Sequence, residues 1–362
     1  MIFLDHAAVA PICGPAAAAL RVYAEQSSTS ATYETGVYRR AKEVKQAAAK
    51  LIGAQGDHEI AFMPNTTTGL AQVANGLDWR EGDRVVITDV EFPANRYIWQ
   101  NLVKRGVELV EVGQEPDGRV DVRKVVKAVN NRTRVVSISH VQYATGFRID
   151  LRPIADEVHA EGGYLCVDAI QSVGVLPVDV GAMGIDFLSA DGHKWMLGPE
   201  GCGIFYCRQG LAEKLWPTVA GWMCMADFTN YSDYRFELLS DARRFEPGSY
   251  NIPGILALGA SIDLLLATGI DNIWAKVEAL TARLEAGLRE KGYKIISPRE
   301  HEGERSGIVT FEPQESAPSV DAIISQLRKA NIALAARTGM LRASPHFYNN
   351  KTQVDAVVDA LP

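Results

Sequence analysis

Short, mostly apolar runs of four to six residues alternate with amphipathic stretches through the first 250 residues. Runs of this kind, rich in β-branched and aromatic residues, are typical of strands buried on both faces of a sheet. The predicted strands are 59–63, 84–88, 107–112, 134–139, 164–167, 186–190 and 202–207. The stretches between them, such as 121–129 and 151–161, carry apolar residues at helical spacing. This alternation predicts an α/β fold with a mostly parallel sheet between helices.

The pattern changes after about residue 250, where two long helices are predicted at 255–266 and 273–291. The elements predicted after them are a strand at 307–311, a helix at 320–330, short strands near 332–335 and a last helix at 352–361. This mixture predicts a small α+β C-terminal domain packed on the first. We therefore divide the chain into an N-terminal segment (1–15), a large domain (16–250) and a small domain (251–362).

Composition narrows the class of protein. The chain has 362 residues, 47% of them hydrophobic and 22% charged, which is ordinary for a globular protein of about two domains. A net charge of −7 argues against a nucleic-acid partner. No stretch approaches the roughly 18 apolar residues of a membrane-spanning helix, and the first residues lack the basic and apolar regions of a secretory signal. The five cysteines form no CxxC pair, so we expect neither disulfides nor a metal site, and we expect a cytoplasmic location.

Ligands of open α/β sheets bind beyond the carboxyl ends of the strands, and a lysine lies at one such position. Lys194 follows the predicted strand 186–190 in the segment Asp191-Gly192-His193-Lys194. Burial lowers the pKa of a lysine, which makes its amine competent to form a Schiff base. The alternative is an ordinary surface lysine that happens to follow a strand.

An acid follows another predicted strand. Asp168 comes directly after the run 164–167, and Gln171 lies three residues later. An aspartate in this position can pair with a protonated pyridine nitrogen, and the glutamine can hydrogen-bond the phenolic oxygen of the same ring. The alternative is an aspartate that caps the start of a helix.

A third motif, Asn65-Thr66-Thr67-Thr68-Gly69, lies between a predicted strand and a helix. Hydroxyl groups and free backbone N–H groups at a helix start bind anions such as phosphate. Plain helix capping by threonine is the alternative. The GxGxxG and GxxxxGK[ST] motifs are missing from the sequence, so other phosphate-binding folds lose support.

Together the three motifs suit pyridoxal 5′-phosphate (PLP), and with them the chain resembles a known family. It is similar to the class V aminotransferase family of fold-type-I PLP enzymes, which includes cysteine desulfurases, selenocysteine lyases, kynureninases and isopenicillin N epimerase-like proteins. The resemblance begins at residues 4–8, includes Gly192-His193-Lys194 as the lysine signature, and extends to 342–349. It implies the PLP-dependent transferase (aspartate aminotransferase-like) fold with PLP as cofactor.

The resemblance also implies roles for cofactor-binding residues. Thr66 and Thr67 are expected to contact the phosphate, with His193 nearby. Phe92 matches the position where the family stacks an aromatic ring on the cofactor, although a core residue before a helix is the alternative. Ser249 matches a loop residue that touches the phosphate in the partner subunit, so the resemblance implies a homodimer.

Two arginines are assigned to the substrate by the same resemblance. Arg342 matches the arginine that binds the α-carboxylate of an amino acid, and a planar guanidinium suits that two-pronged contact. Arg337 lies in Arg337-Thr338-Gly339, another family signature, and is expected to support the substrate side.

Three positions depart from the desulfurase pattern. Cysteine desulfurases carry a catalytic cysteine on a loop between the Arg-Thr-Gly signature and the second arginine, but here only Met340 and Leu341 separate Gly339 from Arg342. Cys224 does not replace it by position, and a free thiol in a loop is the simpler interpretation. Asp191 stands where relatives have a hydroxyl residue near the phosphate, and Tyr143 stands where desulfurases often have asparagine.

These residues predict an enzyme that acts at the α-carbon of a small amino acid through a Schiff base at Lys194, with Asp168 supporting the cofactor ring. The leading hypothesis is a lyase, epimerase or aminotransferase that uses no catalytic cysteine. The first alternative is cysteine desulfurase or selenocysteine lyase activity. A second is a non-catalytic PLP-binding protein.

Overall fold

Strands and helices alternate along the chain in the computed structural model, which describes residues 1–31, 36–314 and 316–362. The β-strands are β1 (Ile2–Phe3), β2 (Ile60–Met63), β3 (Arg84–Thr88), β4 (Glu108–Val112), β5 (Thr133–Ser139), β6 (Tyr164–Asp168), β7 (Phe187–Asp191), β8 (Gly203–Cys207), β9 (Lys294–Ile295), β10 (Val309–Glu312), β11 (Ile332–Ala333), β12 (Ala335–Arg337) and β13 (Met340–Ala343). The α-helices are α1 (Gly14–Ser27), α2 (Val37–Leu51), α3 (Thr66–Gly76), α4 (Ala94–Gln100), α5 (Val122–Ala128), α6 (Arg152–Ala160), α7 (Ile252–Thr268), α8 (Ile270–Glu290), α9 (Val320–Lys329) and α10 (Lys351–Ala360).

The large sheet has the strand order β2-β8-β7-β6-β5-β3-β4. Every neighbouring pair is parallel except the two pairs that β8 makes with β2 and β7. All seven predicted strands of the large domain are present, each within one or two residues of its predicted bounds. The prediction of a mostly parallel sheet between helices is confirmed.

The sheet is buried on both faces, as the apolar runs predicted. Val85 and Ile87 of β3 belong to one apolar cluster with helices α3 and α4, whereas Val86 belongs to the opposite cluster. Because successive side chains of a strand point to opposite faces, an uninterrupted apolar run is needed to fill both layers. The loops at the carboxyl ends of the strands are therefore the place where polar side chains can gather.

A second, four-stranded antiparallel sheet has the order β12-β13-β10-β9. Helices α8, α9 and α10 pack with it around a separate apolar cluster that includes Leu284, Phe311 and Val357. These elements form the predicted α+β unit near the C-terminus. Helix α7 instead buries Ile255 and Leu258 in the core of the large sheet. The division of the chain at residue 250 therefore stays a prediction.

The N-terminal segment connects the two sheets. Its strand β1 pairs with β11, and the His6 backbone N–H donates to the Ser344 carbonyl at 3.3 Å. Farther along, the Ala10 N–H donates to the His193 carbonyl at 2.8 Å. Residues 2–10 are thereby held beside the loop that carries Lys194.

No single helix in the described ranges is both long enough and apolar enough to cross a bilayer. Helices α7 and α8 meet the length and composition criteria only as a pair, and that pair is bent by 80°.

Helix α3 lies unusually close to the sheet at Gly69. A Cβ atom added there would lie 2.2 Å from Ser189 Oγ on β7. We predict that Gly69→Ala lowers the free energy of unfolding by about 1–3 kcal/mol, because the helix must move off the strand. Urea unfolding checks this. Gly14→Ala, where an added Cβ meets nothing within 4 Å, is the matched control. Equal stability of the two variants would contradict the close approach.

Candidate active site

A cavity of about 280 Å³ opens beyond the carboxyl ends of β6 and β7. Nine of the ten predicted site residues line it. They are Thr66, Thr67, Phe92, Asp168, Gln171, His193, Lys194, Arg337 and Arg342. The chain thus brings together residues that are up to 276 positions apart (342 minus 66), at the edge of the sheet where ligands of such folds bind.

One end of the cavity is the start of helix α3. Asn65 caps this helix by accepting from the Thr68 N–H at 2.9 Å. The backbone N–H groups of Thr66 and Thr67 make no hydrogen bond within the part of the chain that the structure describes. Thr66 Oγ1 accepts from the Asp191 N–H at 3.0 Å and keeps its own proton for donation. Two free N–H groups and two hydroxyls at a helix start form an anion site.

Asp191 lies beside this anion site, where its charge would repel a phosphate. Its carboxylate is directed at donors of the chain itself. Oδ1 accepts from the Gly192 N–H at 2.7 Å, and Oδ2 lies 2.9 Å from His193 Nδ1. That contact lacks hydrogen-bond geometry, so Nδ1 has no hydrogen-bond partner among the described residues, and the His193 side chain borders the cavity. Asp191 is therefore held by the Gly192 N–H and lies within ion-pair distance of the histidine.

Asp168 is the last residue of β6 and is buried. A turn follows it, so it does not cap a helix. Oδ1 accepts from the Ile170 N–H at 3.1 Å, and no described residue donates to Oδ2. Burial raises the pKa of Asp168 to about 6, with the nearby Lys194 acting in the opposite direction. A protonated ring nitrogen placed against Oδ2 would restore the charged carboxylate.

Lys194 lines the cavity. Its amine makes no hydrogen bond with the described residues and lies 5.7 Å from the centroid of the Phe92 ring. Burial lowers the pKa of Lys194 to about 8, although the carboxylate of Asp168 opposes this change. A larger fraction of the amine is therefore neutral near pH 7 than for an exposed lysine, as a nucleophile or base requires.

The residue after Lys194 anchors its loop. Trp195 is fully buried and donates its indole N–H to Gln171 Oε1 at 2.8 Å. Gln171 in turn donates from Nε2 to the Ala7 carbonyl at 2.9 Å. The predicted cofactor role of Gln171 thus rests on its one remaining amide proton. His346 donates to the Trp195 carbonyl at 3.0 Å, since its other nitrogen accepts from the Phe347 N–H.

Arg342 also lines the cavity and is 1% exposed, so it is not a surface arginine. Its Nη1 donates to the Tyr143 carbonyl at 2.6 Å, and its Nη2 donates to Asp5 Oδ1 at 3.4 Å. Burial lowers the pKa of Arg342 to about 10, and burial raises the pKa of Asp5. Asp5 was not among the predicted site residues, because its contact with Arg342 joins segments at opposite ends of the chain.

Arg337 and Arg342 project from the same face of one hairpin. Residue pairs across the β12–β13 ladder are Arg337 with Met340 and Ala335 with Arg342, and paired residues share a face. Arg337 donates to the Ala336 carbonyl at 2.7 Å and forms no ion pair in the described ranges. Its guanidinium therefore keeps free donors beside the cavity.

The turn between the two arginines is as short as a hairpin allows. Thr338 and Gly339 alone connect the strands, with φ values of 50° and 78°. Positive φ at both positions is typical of a type I′ turn, which matches the twist of the strands. The expected absence of a cysteine loop here is visible as this two-residue turn.

No cysteine lines the cavity within the described ranges, which include all five. Cys224 is buried in a short 3₁₀ turn elsewhere, where burial raises the pKa of its thiol. Nor does any group of three or more His, Cys, Asp or Glu side chains in the described ranges have the arrangement of a metal site.

Ser249 is the predicted site residue that lies outside this cavity. It is exposed on a loop that Glu246 anchors, because the Glu246 carboxylate pairs with Lys45 at 2.5 Å and accepts from the Phe62 N–H at 2.8 Å. Its contact with a partner subunit stays a prediction.

PLP fits the polar atoms that line the cavity. The donors at the start of α3 suit a phosphate, Asp168 Oδ2 suits a protonated ring nitrogen, and the Lys194 amine is free to bond an aldehyde. The buried Nε of Arg342, which has no partner in the described chain, adds a donor at the substrate end.

Known proteins match this chain over most of its length. The family described as Aminotransferase class-V matches residues 2–357. A probable cysteine desulfurase of Methanothermobacter thermautotrophicus is 31% identical, over 99% of this chain and 94% of its own. A cysteine desulfurase of Haloferax volcanii is 32% identical, over 86% of this chain and 76% of its own.

The fold is also that of a solved structure. The apo cysteine desulfurase of Thermococcus onnurineus has a TM-score of 0.89 and 25% identity, and the match covers 99% of this chain and 92% of the other. The predicted family, fold and cofactor are confirmed. This chain belongs to the class V aminotransferase family of PLP-dependent enzymes.

Proposed function

We propose that this enzyme removes sulfur from cysteine or a cysteine derivative by breaking the bond between the β-carbon and sulfur. The curated names of the 31% and 32% identical relatives support a sulfur-containing amino acid as substrate. These names favour the desulfurase alternative over the epimerase and aminotransferase hypotheses. A non-catalytic role is disfavoured because Lys194, Asp168 and Arg342 all line one cavity.

We assign one group of cavity residues to the cofactor and another group to the substrate. We assign Thr66, Thr67 and His193 to the phosphate and Asp168 to the ring nitrogen. Phe92, which is 43% exposed and borders the cavity, is free to stack on the ring, so its exposure argues against a core role. Gln171 supplies its remaining amide proton to the ring oxygen.

Bound PLP withdraws electrons from the α-carbon of an amino acid. The chain supplies the other steps. Arg342 binds the α-carboxylate and so orients the α-hydrogen. Lys194, once displaced by the substrate, takes that proton. Its burial keeps the amine neutral often enough near pH 7 to act as a base.

The two-residue turn at Thr338-Gly339 is the observation that supports one route for the sulfur over the other. Transfer of sulfur to an active-site thiol needs a cysteine beside the β-carbon, and none lines the described cavity. We therefore propose elimination, in which the α-proton and the sulfur leave the same molecule. Water then hydrolyses the unsaturated amino acid, so cysteine and one water molecule give hydrogen sulfide, pyruvate and ammonia.

A second route is supported by the names of the relatives. In desulfuration the sulfur is transferred to an acceptor and the amino acid is released as alanine. For this chain the acceptor would be an external thiol, such as a small molecule or a second protein.

We also propose that the enzyme is a homodimer in which Ser249 reaches the partner's phosphate site. The exposed position of Ser249 on an anchored loop supports this arrangement. Aromatic side chains next to that loop, Trp222 and Tyr231, are 45% and 74% exposed and border a second cavity of about 720 Å³. An apolar surface of this kind is typical of an interface.

Product analysis tests the proposed reaction. We expect purified enzyme with PLP and cysteine to form pyruvate, ammonia and sulfide in equal amounts, measured by enzymatic assay and methylene blue. Lys194→Ala is the inactive control. Alanine together with sulfane sulfur would establish the desulfurase route, and a keto acid or racemised substrate with its sulfur retained would refute sulfur removal altogether.

Cofactor attachment should depend on pH through Lys194. Only the neutral amine reacts with the aldehyde, and burial lowers the pKa of Lys194 to about 8. We predict that covalent attachment of PLP to the cofactor-free enzyme accelerates as the pH rises towards about 8 and then levels off. Absorbance of the yellow chromophore measures the rate.

Asp168→Asn is the matched variant for measuring how the rate of PLP attachment depends on pH. The carboxylate raises the pKa of Lys194, so its removal should move the plateau to lower pH. A rate that keeps rising towards pH 10.4, the ordinary lysine pKa, would show that the amine is not desolvated.

Arg342→Ala should weaken amino-acid binding and leave cofactor loading intact. Loss of a charge-assisted hydrogen bond corresponds to roughly 1.5–3 kcal/mol, or about 10- to 150-fold in the dissociation constant. Spectral titration with a slowly reacting amino acid measures this change. Arg342→Lys retains the charge but lacks the planar guanidinium, so its dissociation constant for the amino acid should lie between those of the wild type and Arg342→Ala. If Arg342→Ala also lost its bound cofactor, the assignment of Arg342 to the substrate would be contradicted.

A further inference from the structure

Tyr143 lines the cavity, yet the residue assignments above give its side chain no task. The ring lies edge-on against Phe92, with the centroids 5.1 Å apart and the planes at 78°. The hydroxyl has no hydrogen-bond partner among the described residues, and its oxygen is not sealed from solvent. A phenol that is free to donate inside a reaction cavity is available to the substrate.

The neighbours of Tyr143 place it beside the substrate. Its carbonyl accepts from Arg342 Nη1 at 2.6 Å, and its phenol lies within electrostatic range of the Arg342 guanidinium. Its ring contacts Phe92, whose ring centroid is 5.7 Å from Lys194 Nζ. An amino acid with its carboxylate on Arg342 and its α-carbon at Lys194 is short, so its β-substituent must lie among these same residues.

Few other proton donors are available at this end of the cavity. Among the described lining residues, His193 and the threonines are assigned above to the phosphate, and Asp168 is assigned to the ring nitrogen. The guanidinium groups of Arg337 and Arg342 do not release a proton at ordinary pH. Ala7, Ala8 and Val9 form an apolar wall. Tyr143 is thus the one neutral O–H donor that the described cavity offers to the β-substituent.

We propose that the Tyr143 hydroxyl is the catalytic acid that protonates the departing sulfur. This inference rests on the proposed elimination. Lys194 takes the α-proton, the electrons of the Cα–H bond form the Cα–Cβ double bond, and the Cβ–S bond breaks with both electrons on sulfur. Tyr143 donates its proton to that thiolate, which leaves as a neutral thiol. The phenolate then regains a proton from the Lys194 ammonium, so that no oxidant, reductant or metal is needed.

Proton donation matters most when the leaving thiolate is strongly basic. An alkanethiol has a pKa of about 8.5 or above, whereas an electron-poor arenethiolate leaves readily without a proton. The ratio of rates on two such substrates therefore reports on the acid. A residue that merely shaped the cavity would change both rates together.

Tyr143→Phe removes the hydroxyl alone, since the edge-on ring and the carbonyl contact with Arg342 are both retained. We expect pyruvate formation from S-methylcysteine to fall by about 10²-fold or more. Pyruvate formation from S-(4-nitrophenyl)cysteine should change little. Exchange of the α-proton with D₂O, followed by NMR, should be unchanged, as should cofactor absorbance. Tyr97→Phe, on an exposed side chain of α4 outside the cavity, is the matched control and should behave as the wild type.

Equal losses on both substrates, or no loss on either, would overturn the role of Tyr143. If neither rate fell, the proton that the departing sulfur receives would be assigned to the Lys194 ammonium. The wild-type enzyme reports separately on the proposed function. If it exchanges the α-proton but forms pyruvate from neither substrate, elimination itself is wrong and the acid role is overturned with it.

Discussion

The site depends on one constraint, which is that Lys194 and Asp168 are both withdrawn from water at neighbouring strand ends. Burial disfavours the charged form of each group, so the lysine pKa falls to about 8 and the aspartate pKa rises to about 6. Each charge partly stabilises the other. A cofactor that bonds the amine and brings a cationic ring nitrogen relieves both desolvation costs at once.

Hydrogen bonds and close packing around Trp195 hold the loop that carries Lys194 in place. Trp195 hydrogen-bonds Gln171 through its indole N–H and His346 through its carbonyl. Gly307 packs against its indole ring, where an added Cβ would lie 2.4 Å away. Gln171 also fixes the N-terminal segment through Ala7. One buried network therefore joins the loop that carries Lys194 to Gln171 and to the N-terminal segment that lines the cavity, although these residues are distant in sequence.

Local patterns predicted the sheet and one half of the site. Strands such as β3 and β6 were predictable because apolar runs are a local property, and Asp168 and Lys194 were found because each follows a strand. The second half depends on long-range contacts. The Asp5–Arg342 contact joins residues 337 positions apart, and no local pattern encodes it. The burial of Arg342 and the free phenol of Tyr143 likewise follow from packing between distant segments.

In the reaction proposed above, the register of the β12–β13 hairpin would link substrate binding to the fate of the sulfur. Pairing of Arg337 with Met340 and of Ala335 with Arg342 sets both arginines on one face, and a slip of one residue would turn them away. The two-residue turn fixes that register. A thiol-bearing loop inserted there would have to leave the ladder to reach the cavity. Under the proposed reaction, the same geometry that aligns the arginines would leave the β-substituent facing Tyr143 and the apolar wall, where a departing thiolate would gain most from a proton.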